Sequence, residues 1–227
     1  MLPFFFRHYD SIVDQYFIFD NGSTDGSLDL LREHPRVCLG AFSVAGPSFV
    51  LAAVDFYDHS WKQSRGQADW VIICNIDEHL YHADLRAYLA SLPQEVSLIF
   101  SPGYEMVSQT FPPADVVLTE HTRTGFRYEI YDKPTILAPG AIREINFLPG
   151  RHDAAPEGRV ASPLKREVKL LHYKCLGVEY WVSRSNELRQ GLREMDLERG
   201  WGIQYVWDDA QKRDYFRRVQ EGAIQVL

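Results

Sequence analysis

"WVIICNIDEH", residues 70–79, takes an almost unbroken apolar run into Asn75, Asp77, Glu78 and His79. A strand this apolar should stop at a turn, and instead it stops at side chains that can ligate a cation or move a proton. Residues two apart on a strand share a face, so Asn75 and Asp77 would project together. An amide oxygen beside a carboxylate suits a hard divalent cation such as Mg2+ or Mn2+. A solvated strand end with a capping aspartate is the plainer reading. Trp70 through Ile76 weigh against it, because a run of that kind calls for cover on both faces.

"YFIFDNGSTDGSLDLL", residues 16–31, repeats the pattern of an apolar run followed by small polar residues. Asp20 stands at the end of the run, and Gly22 and Gly26 permit backbone angles closed to other residues. Ser23, Thr24 or Asp25 can cap the helix that follows. On its own this is a strand–turn–helix junction that requires no ligand.

The elements that would carry these stretches alternate. "QYFIF" (15–19), "RVCLGAF" (36–42), "WVIICNI" (70–76) and "VSLIF" (96–100) read as strands. Between them lie a capped segment with Leu28 and Leu31, a stripe of Val50, Val54, Tyr57 and Trp61, and an Asp84-capped helix carrying Leu85, Tyr88, Leu89 and Leu92. Such β-α alternation predicts an α/β fold with a mostly parallel sheet flanked by helices and right-handed crossovers. Ligands of such sheets bind beyond the carboxyl ends of the strands, where both polar stretches fall. The chain opens on a helix, "FFFRHYDSIVDQ", so the sheet is expected to lack the strand that would precede it.

Past residue 100 the pattern loosens. "SPGYEMVSQTFPPAD" and "FLPGRHDAAPEGRVASP" read as long loops, and "DVVLT", "KPTIL" and "EVKLLHY" as further strands. Residues 184–198 place Leu188, Leu192 and Met195 on one helical stripe. The expected organisation is a single domain over residues 1–227, with a Rossmann-like nucleotide-binding half (1–100), a half that completes the metal and acceptor sites (101–183) and a helical tail (184–227). Trp201, Tyr205, Trp207, Tyr215 and Phe216 in that tail read first as core or interface, and second as surfaces for sugar rings.

A net charge of −7 argues against nonspecific nucleic-acid binding, which needs an excess of Lys and Arg. A metal-bridged anionic ligand stays open, since the metal carries its own positive charge. Cys38, Cys74 and Cys175 are too few and scattered for a disulfide framework and imply reduced thiols. "LPFFF" is shorter than a signal-peptide core, and no apolar run is long enough for a transmembrane segment. The expectation is a cytoplasmic chain, attached to a membrane at most peripherally.

Taken together, "LPFFFRHY", "DNGSTDGS" and "WVIICNIDEH" resemble family-2-type glycosyltransferases of the GT-A fold, most closely the subgroup reading "LPFFLRHY…DNGSTDG…W…DIDEFL". The resemblance is specific over residues 2–82 and looser through "DKPTIL", "PGRH" and "LLHYK". In that family the first motif lies against the base and ribose of a sugar nucleotide. The second, the DxD motif, holds the divalent metal that bridges its diphosphate.

The resemblance therefore implies that Asp20, Asn21, Gly22 and Asp25 lie in the nucleotide region and that Asp77 binds Mn2+ or Mg2+. Asn75 takes the place of the motif's first Asp, where it can bond a ribose hydroxyl but brings no charge. His172 in "LLHYK" or His152 in "PGRH" would complete the metal site. Lys133 and Lys174 would counter the diphosphate, and Arg151 and Arg159 flank a loop that could close over the donor. The implied reaction moves a sugar from a nucleoside diphosphate to an acceptor hydroxyl, on a glycan or lipid-linked acceptor of cell-envelope polysaccharide synthesis. If the enzyme inverts, Glu105, Glu78 or His79 would take the acceptor's proton. Asn75 and the helical start motivate the alternative of a catalytically impaired relative that binds a nucleotide, a glycan or a protein partner. A nucleotidyltransferase fits less well, because no glycine-rich basic loop for a triphosphate is present.

Overall fold

A computed structural model describes residues 1–227. The first part of the chain alternates helix and strand: α1 (Leu2–Tyr9), β1 (Tyr16–Asp20), α2 (Ser27–Glu33), β2 (Val37–Ala41), α3 (Phe49–Ser60), β3 (Val71–Ile72), β4 (Glu78–Tyr81), α4 (Leu85–Ser91) and β5 (Leu98–Ser101). The middle is richer in strands, with β6 (Gly103–Ser108), α5 (Leu118–His121), β7 (Thr124–Arg127), β8 (Lys133–Leu137), β9 (Ile142–Glu144), β10 (Glu157–Gly158) and β11 (Lys169–Leu176). The tail comprises α6 (Val178–Gly191), α7 (Glu194–Glu198), α8 (Ile203–Val206), α9 (Asp209–Glu221) and β12 (Ile224–Gln225).

Local chemistry sets the helix starts. Asp84 accepts from the Ala87 N–H at 2.9 Å ahead of α4, and Ser48 accepts from Leu51 N–H at 3.0 Å ahead of α3. Before α2, Gly26 takes the left-handed conformation at φ 80°, which only glycine adopts freely.

The α/β class holds, but the sheet is not mostly parallel. Of the eight strand pairings only β1–β2 and β6–β11 are parallel. The strands form a five-stranded sheet in the order β12-β7-β6-β11-β4, a three-stranded sheet β3-β8-β5, and the separate pairs β1-β2 and β9-β10. The reason lies past residue 100. β5 passes into β6 across Pro102 alone, with no crossover helix, and β8 returns antiparallel between β3 and β5.

Several elements differ from the reading of the sequence. "GYEMVS", read as loop, is the strand β6, in which Gly103, Glu105, Met106 and Val107 are buried. "DVVLT" gives a turn and α5 rather than a strand, and the stripe over 184–198 breaks at Leu192 between α6 and α7. "WVIICNI" pairs only at Val71 and Ile72, and of Val71 to Cys74 only Ile73 is buried. The thiols are free, with Cys38 exposed and Cys175 in the core. No helix is long and apolar enough to cross a membrane.

The buried apolar residues fall into five clusters. Leu80, Ile99, Ile136, Val168 and Leu170 pack together between the two larger sheets. Helix α1 is tied to β4 through Tyr9, whose hydroxyl donates to Glu78 O at 3.0 Å and accepts from Leu80 N at 2.9 Å. The opening helix thus fixes the backbone beside Asp77 and Glu78.

Candidate functional site

The junction of β4 and β11 sets the site. β11 pairs β4 so that His172 stands opposite Glu78, and pairs β6 so that His172 stands opposite Glu105. His172 Nε2 lies 3.6 Å from Asp77 Oδ2, and its Nδ1 lies 3.3 Å from Glu105 Oε2. Asp77 keeps part of its carboxylate accessible, at 18% of the side chain, whereas Glu105 and His172 are buried. The backbone of Asp77 is held by Tyr173 N–H, which donates to its carbonyl at 2.7 Å.

Charge follows from this packing. Burial opposes ionisation of Asp77, but His172 and then Lys174 outweigh it and hold the carboxyl well below the usual range. Burial likewise opposes protonation of His172, yet Glu105 and Asp77 raise its pKa above the ordinary imidazole value. Lys174 donates from its backbone N–H to Glu105 Oε1 at 3.3 Å and from Nζ to Tyr205 Oη at 2.5 Å. It thereby joins α8 to the array.

Glu78 belongs to a second network. Its carboxylate pairs with Lys133 Nζ on one oxygen; on the other it accepts from Arg151 Nη2 at 3.0 Å and from Asn75 N–H at 2.8 Å. Burial works against its charge, and Lys133 and Arg151 overcome that, so Glu78 stays ionised far below its ordinary pKa. Arg151 also donates to Ile73 O at 3.1 Å and lies 4.1 Å over the Tyr57 ring. Tyr57 in turn donates from Oη to Asn75 Oδ1 at 2.7 Å. Asn75 is therefore already engaged on its acceptor side.

One cavity of about 1750 Å3 gathers much of this chemistry. Asn21, Asn75, Asp77, Glu78, Lys133, His152, His172 and Lys174 all line it. His152 lies near the Tyr131 ring at 6.0 Å, and Tyr131 meets His172 edge-on at 4.9 Å. Burial and then Lys133 hold His152 down at about 4, so its imidazole is neutral at physiological pH. Trp201, Tyr205, Trp207 and Tyr215 of the tail reach the same cavity, while Phe216 is in the core.

The remaining sequence candidates lie elsewhere. Asp20, Gly22 and Asp25 do not line the cavity. Asp20 instead accepts from the N–H groups of Gly22 at 2.7 Å and Ser23 at 3.0 Å, and Asp25 from Ser27 N–H at 3.1 Å, which shapes the loop that presents Asn21. His79 is fully buried, stacked on His8 at 4.5 Å and edge-on to Tyr173 at 4.9 Å. Glu105 is not in a polar loop but in β6, behind His172. Arg151, though buried, is also among the residues that line the cavity, and Arg159 is exposed.

Sequence reading missed Tyr57, which it placed only on a helical stripe, and the link from Lys174 to Tyr205. Neither carries a local motif; both depend on contacts between distant segments.

No set of three or more His, Cys, Asp and Glu side chains is arranged to hold a metal ion. Asp77 and His172 supply two donors, and Glu105 stands behind His172 as a carboxylate does behind many metal-bound imidazoles. Two protein donors suit Mg2+ or Mn2+, which commonly take their remaining ligands from substrate phosphates and water. The residues present therefore fit such a cation as a shared site, not as a closed protein cage. Around Asp77 and His172, Lys133, Arg151 and Lys174 stand against the carboxylates of Asp77, Glu78 and Glu105. The named charges balance, so a bound cation would supply the excess positive charge that an anionic ligand needs.

No family model matches the chain, and no curated protein matches it.

Proposed function

We propose that the chain is a family-2-type, GT-A-like glycosyltransferase that moves a sugar from a nucleoside diphosphate to an acceptor hydroxyl. The observation that carries this reading is the Asp77–His172 pair, 3.6 Å apart on the wall of a cavity that Asn21 of "DNGSTDGS" also lines. The two motifs lie far apart in sequence yet border one space, on whose wall Lys133 and Lys174 would face a diphosphate. Residues 1–100 would hold the nucleotide, 101–183 complete the metal and acceptor sides, and the aromatic tail offers surfaces on which sugar rings stack.

Asp77 and His172 would hold Mn2+ or Mg2+, which offsets the charge building on the leaving diphosphate. Lys174 lies close enough to act on Asp77 and would add to that offset. The acceptor's proton needs a base on the cavity surface. Glu78 is consumed by Lys133 and Arg151, His79 is in the core, and Glu105 faces His172. His152, neutral and on the cavity wall, is the group best disposed to take it.

Calorimetric titration with a panel of nucleoside diphosphate sugars, with and without Mn2+, tests the reading. Saturable binding that requires the metal is expected, and absence of binding for every donor would sink it. Asn75, uncharged and bonded to Tyr57, favours a second reading, a relative that binds but does not turn over. Donor binding with neither hydrolysis nor transfer to any glycan acceptor would select that reading.

A further inference from the structure

Asn75 is held on every side but one. Its backbone N–H donates to Glu78 Oε2 at 2.8 Å, and its carbonyl accepts from Glu78 N–H at 3.1 Å. Its side-chain oxygen accepts from Oη of Tyr57, on α3, at 2.7 Å. Nδ2, which can donate twice, has no partner in the protein. The two ends of a planar amide point apart, so turning Oδ1 toward α3 turns Nδ2 away from it. Asn75 is exposed and lines the cavity of about 1750 Å3, and Nδ2 is the polar group it has left to offer there.

Tyr57 is itself fixed. Arg151 lies 4.1 Å over its ring, and the same guanidinium donates to Ile73 O at 3.1 Å and to Glu78 Oε2 at 3.0 Å. Arg151 takes φ 60°, a left-handed conformation that a residue with a Cβ keeps only where its surroundings determine it. Its three guanidinium contacts do so. Tyr57, Arg151 and Glu78 therefore brace Asn75 from α3, from the loop between β9 and β10, and from β4. Water would satisfy an exposed amide in either orientation, so the fold gains little from fixing one. Recognition gains more, because the orientation decides whether a ligand meets a donor or an acceptor.

On the reading that the cavity takes a nucleoside diphosphate, we infer that Asn75 is a hydrogen-bond donor to a diphosphate oxygen and not a metal ligand, and that Tyr57 is the positioning residue that keeps its donor end toward the ligand. Phosphate oxygens only accept, which is what Nδ2 requires of its partner. A ribose hydroxyl must also donate, and the Asn75 oxygen is already taken by Tyr57. Asp77, two residues on, keeps a carboxylate for a cation, so position 75 can serve the anion that such a cation would bridge. An aspartate at 75, held by Tyr57 through one oxygen, would turn the other to the phosphate and repel it.

The full chain in excess Mg2+ is titrated with inorganic pyrophosphate, with affinity read by calorimetry and the side-chain amide of Asn75 followed by NMR. The amide signals should move as pyrophosphate saturates, and free nucleosides should leave them in place. Asn75→Asp should weaken pyrophosphate binding by about tenfold or more, the range of a hydrogen bond to a charged oxygen. If Oδ1 were a metal ligand, the added charge would tighten binding instead. Tyr57→Phe keeps the ring beneath Arg151 and removes only the hydroxyl. It should weaken binding by about threefold or more in the parent, and no further in an Asn75→Ala background, because it acts through Asn75. Unchanged or tighter binding by Asn75→Asp overturns the donor role, as does an amide that moves with nucleosides alone or a parent that fails to bind pyrophosphate at millimolar concentration. An unchanged Tyr57→Phe, or a loss that persists with Asn75→Ala, overturns the role of Tyr57. If pyrophosphate gives all the expected results while no nucleoside diphosphate sugar binds, glycosyl transfer falls and the role of Asn75 stands.

Discussion

His172 Nε2 lies 3.6 Å from Asp77 Oδ2, and that pair joins the strand end after β3 to the middle of β11, far along the chain. Asp77 is the only carboxylate of the array with an accessible face. Asp77→Asn keeps its shape and removes its charge. The variant should fold as the parent does and lose more than tenfold of its metal-dependent nucleotide affinity, equivalent to about 1.4 kcal/mol or more. Calorimetry with a nucleoside diphosphate and Mn2+ measures this, and unchanged affinity removes Asp77 from the site.

Glu78, next in sequence, has a different task. It neutralises Lys133 and Arg151 in a buried cluster, so Glu78→Gln would leave two cations with one neutral partner. Breaking a buried ion pair from one side costs about 3–5 kcal/mol. Urea denaturation should show a loss of that order. The double variant Glu78→Gln, Lys133→Met should recover part of it, because one stranded charge is gone. A loss below about 1 kcal/mol would mean that the cluster is solvated in solution.

The two polar stretches and their strand ends were legible because each strand and its loop are contiguous in sequence. The alternation of elements also gave the α/β class. Sheet direction was not legible, because β6, β8 and β11 pair across long separations and their order depends on packing against β3 and β4. Glu105 shows the same limit. "SPGYEMVS" carries Gly, Pro and a charge and reads as loop, yet Gly103 is a site where an added Cβ would strike the Tyr131 carbonyl oxygen, and Glu105, buried in β6, is met there by His172 and Lys174. The charge that argues for a loop locally is satisfied by residues far along the chain. "NIDEH" likewise gave no sign that Glu78 and His79 turn inward while Asp77 stays at the rim.

Glu105 acts through His172. Its carboxylate raises the imidazole's pKa, so Glu105→Gln should lower it, and a proton NMR titration of chelator-treated protein reads the shift directly. In the proposed site the same variant should weaken Mn2+ binding by about tenfold or more, the usual range for a carboxylate behind a metal-bound histidine. An unmoved His172 titration would show that the 3.3 Å contact carries no electrostatic coupling.

Three imidazoles set the behaviour of the fold in acid. Burial lowers His8 from 6.5 to about 4 and His152 to about 4, and it holds His79 far below its ordinary value with His8 next in effect. In each case the unfolded chain binds a proton that the folded chain refuses, so stability is full above pH 6.5 and falls as the pH drops toward 4. His172 has the opposite sign, since its raised pKa contributes stability below its ordinary value that is lost as pH rises through the folded one. Asp77 and Glu78 are depressed carboxylates and lose their contribution only as pH falls below the ordinary carboxylate range. Between about pH 6.5 and about pH 4.5 the three depressed histidines therefore dominate, and the shift of His8 alone corresponds to on the order of 3 kcal/mol when complete. His8 Nε2 donates to Leu80 O at 2.9 Å. His8→Gln retains a donor there without the titration, so its denaturation midpoint should fall less steeply with acid than the parent's, by about one proton in the slope. Parallel slopes for the two proteins across that range would show that His8 titrates in the folded state as it does in the unfolded chain.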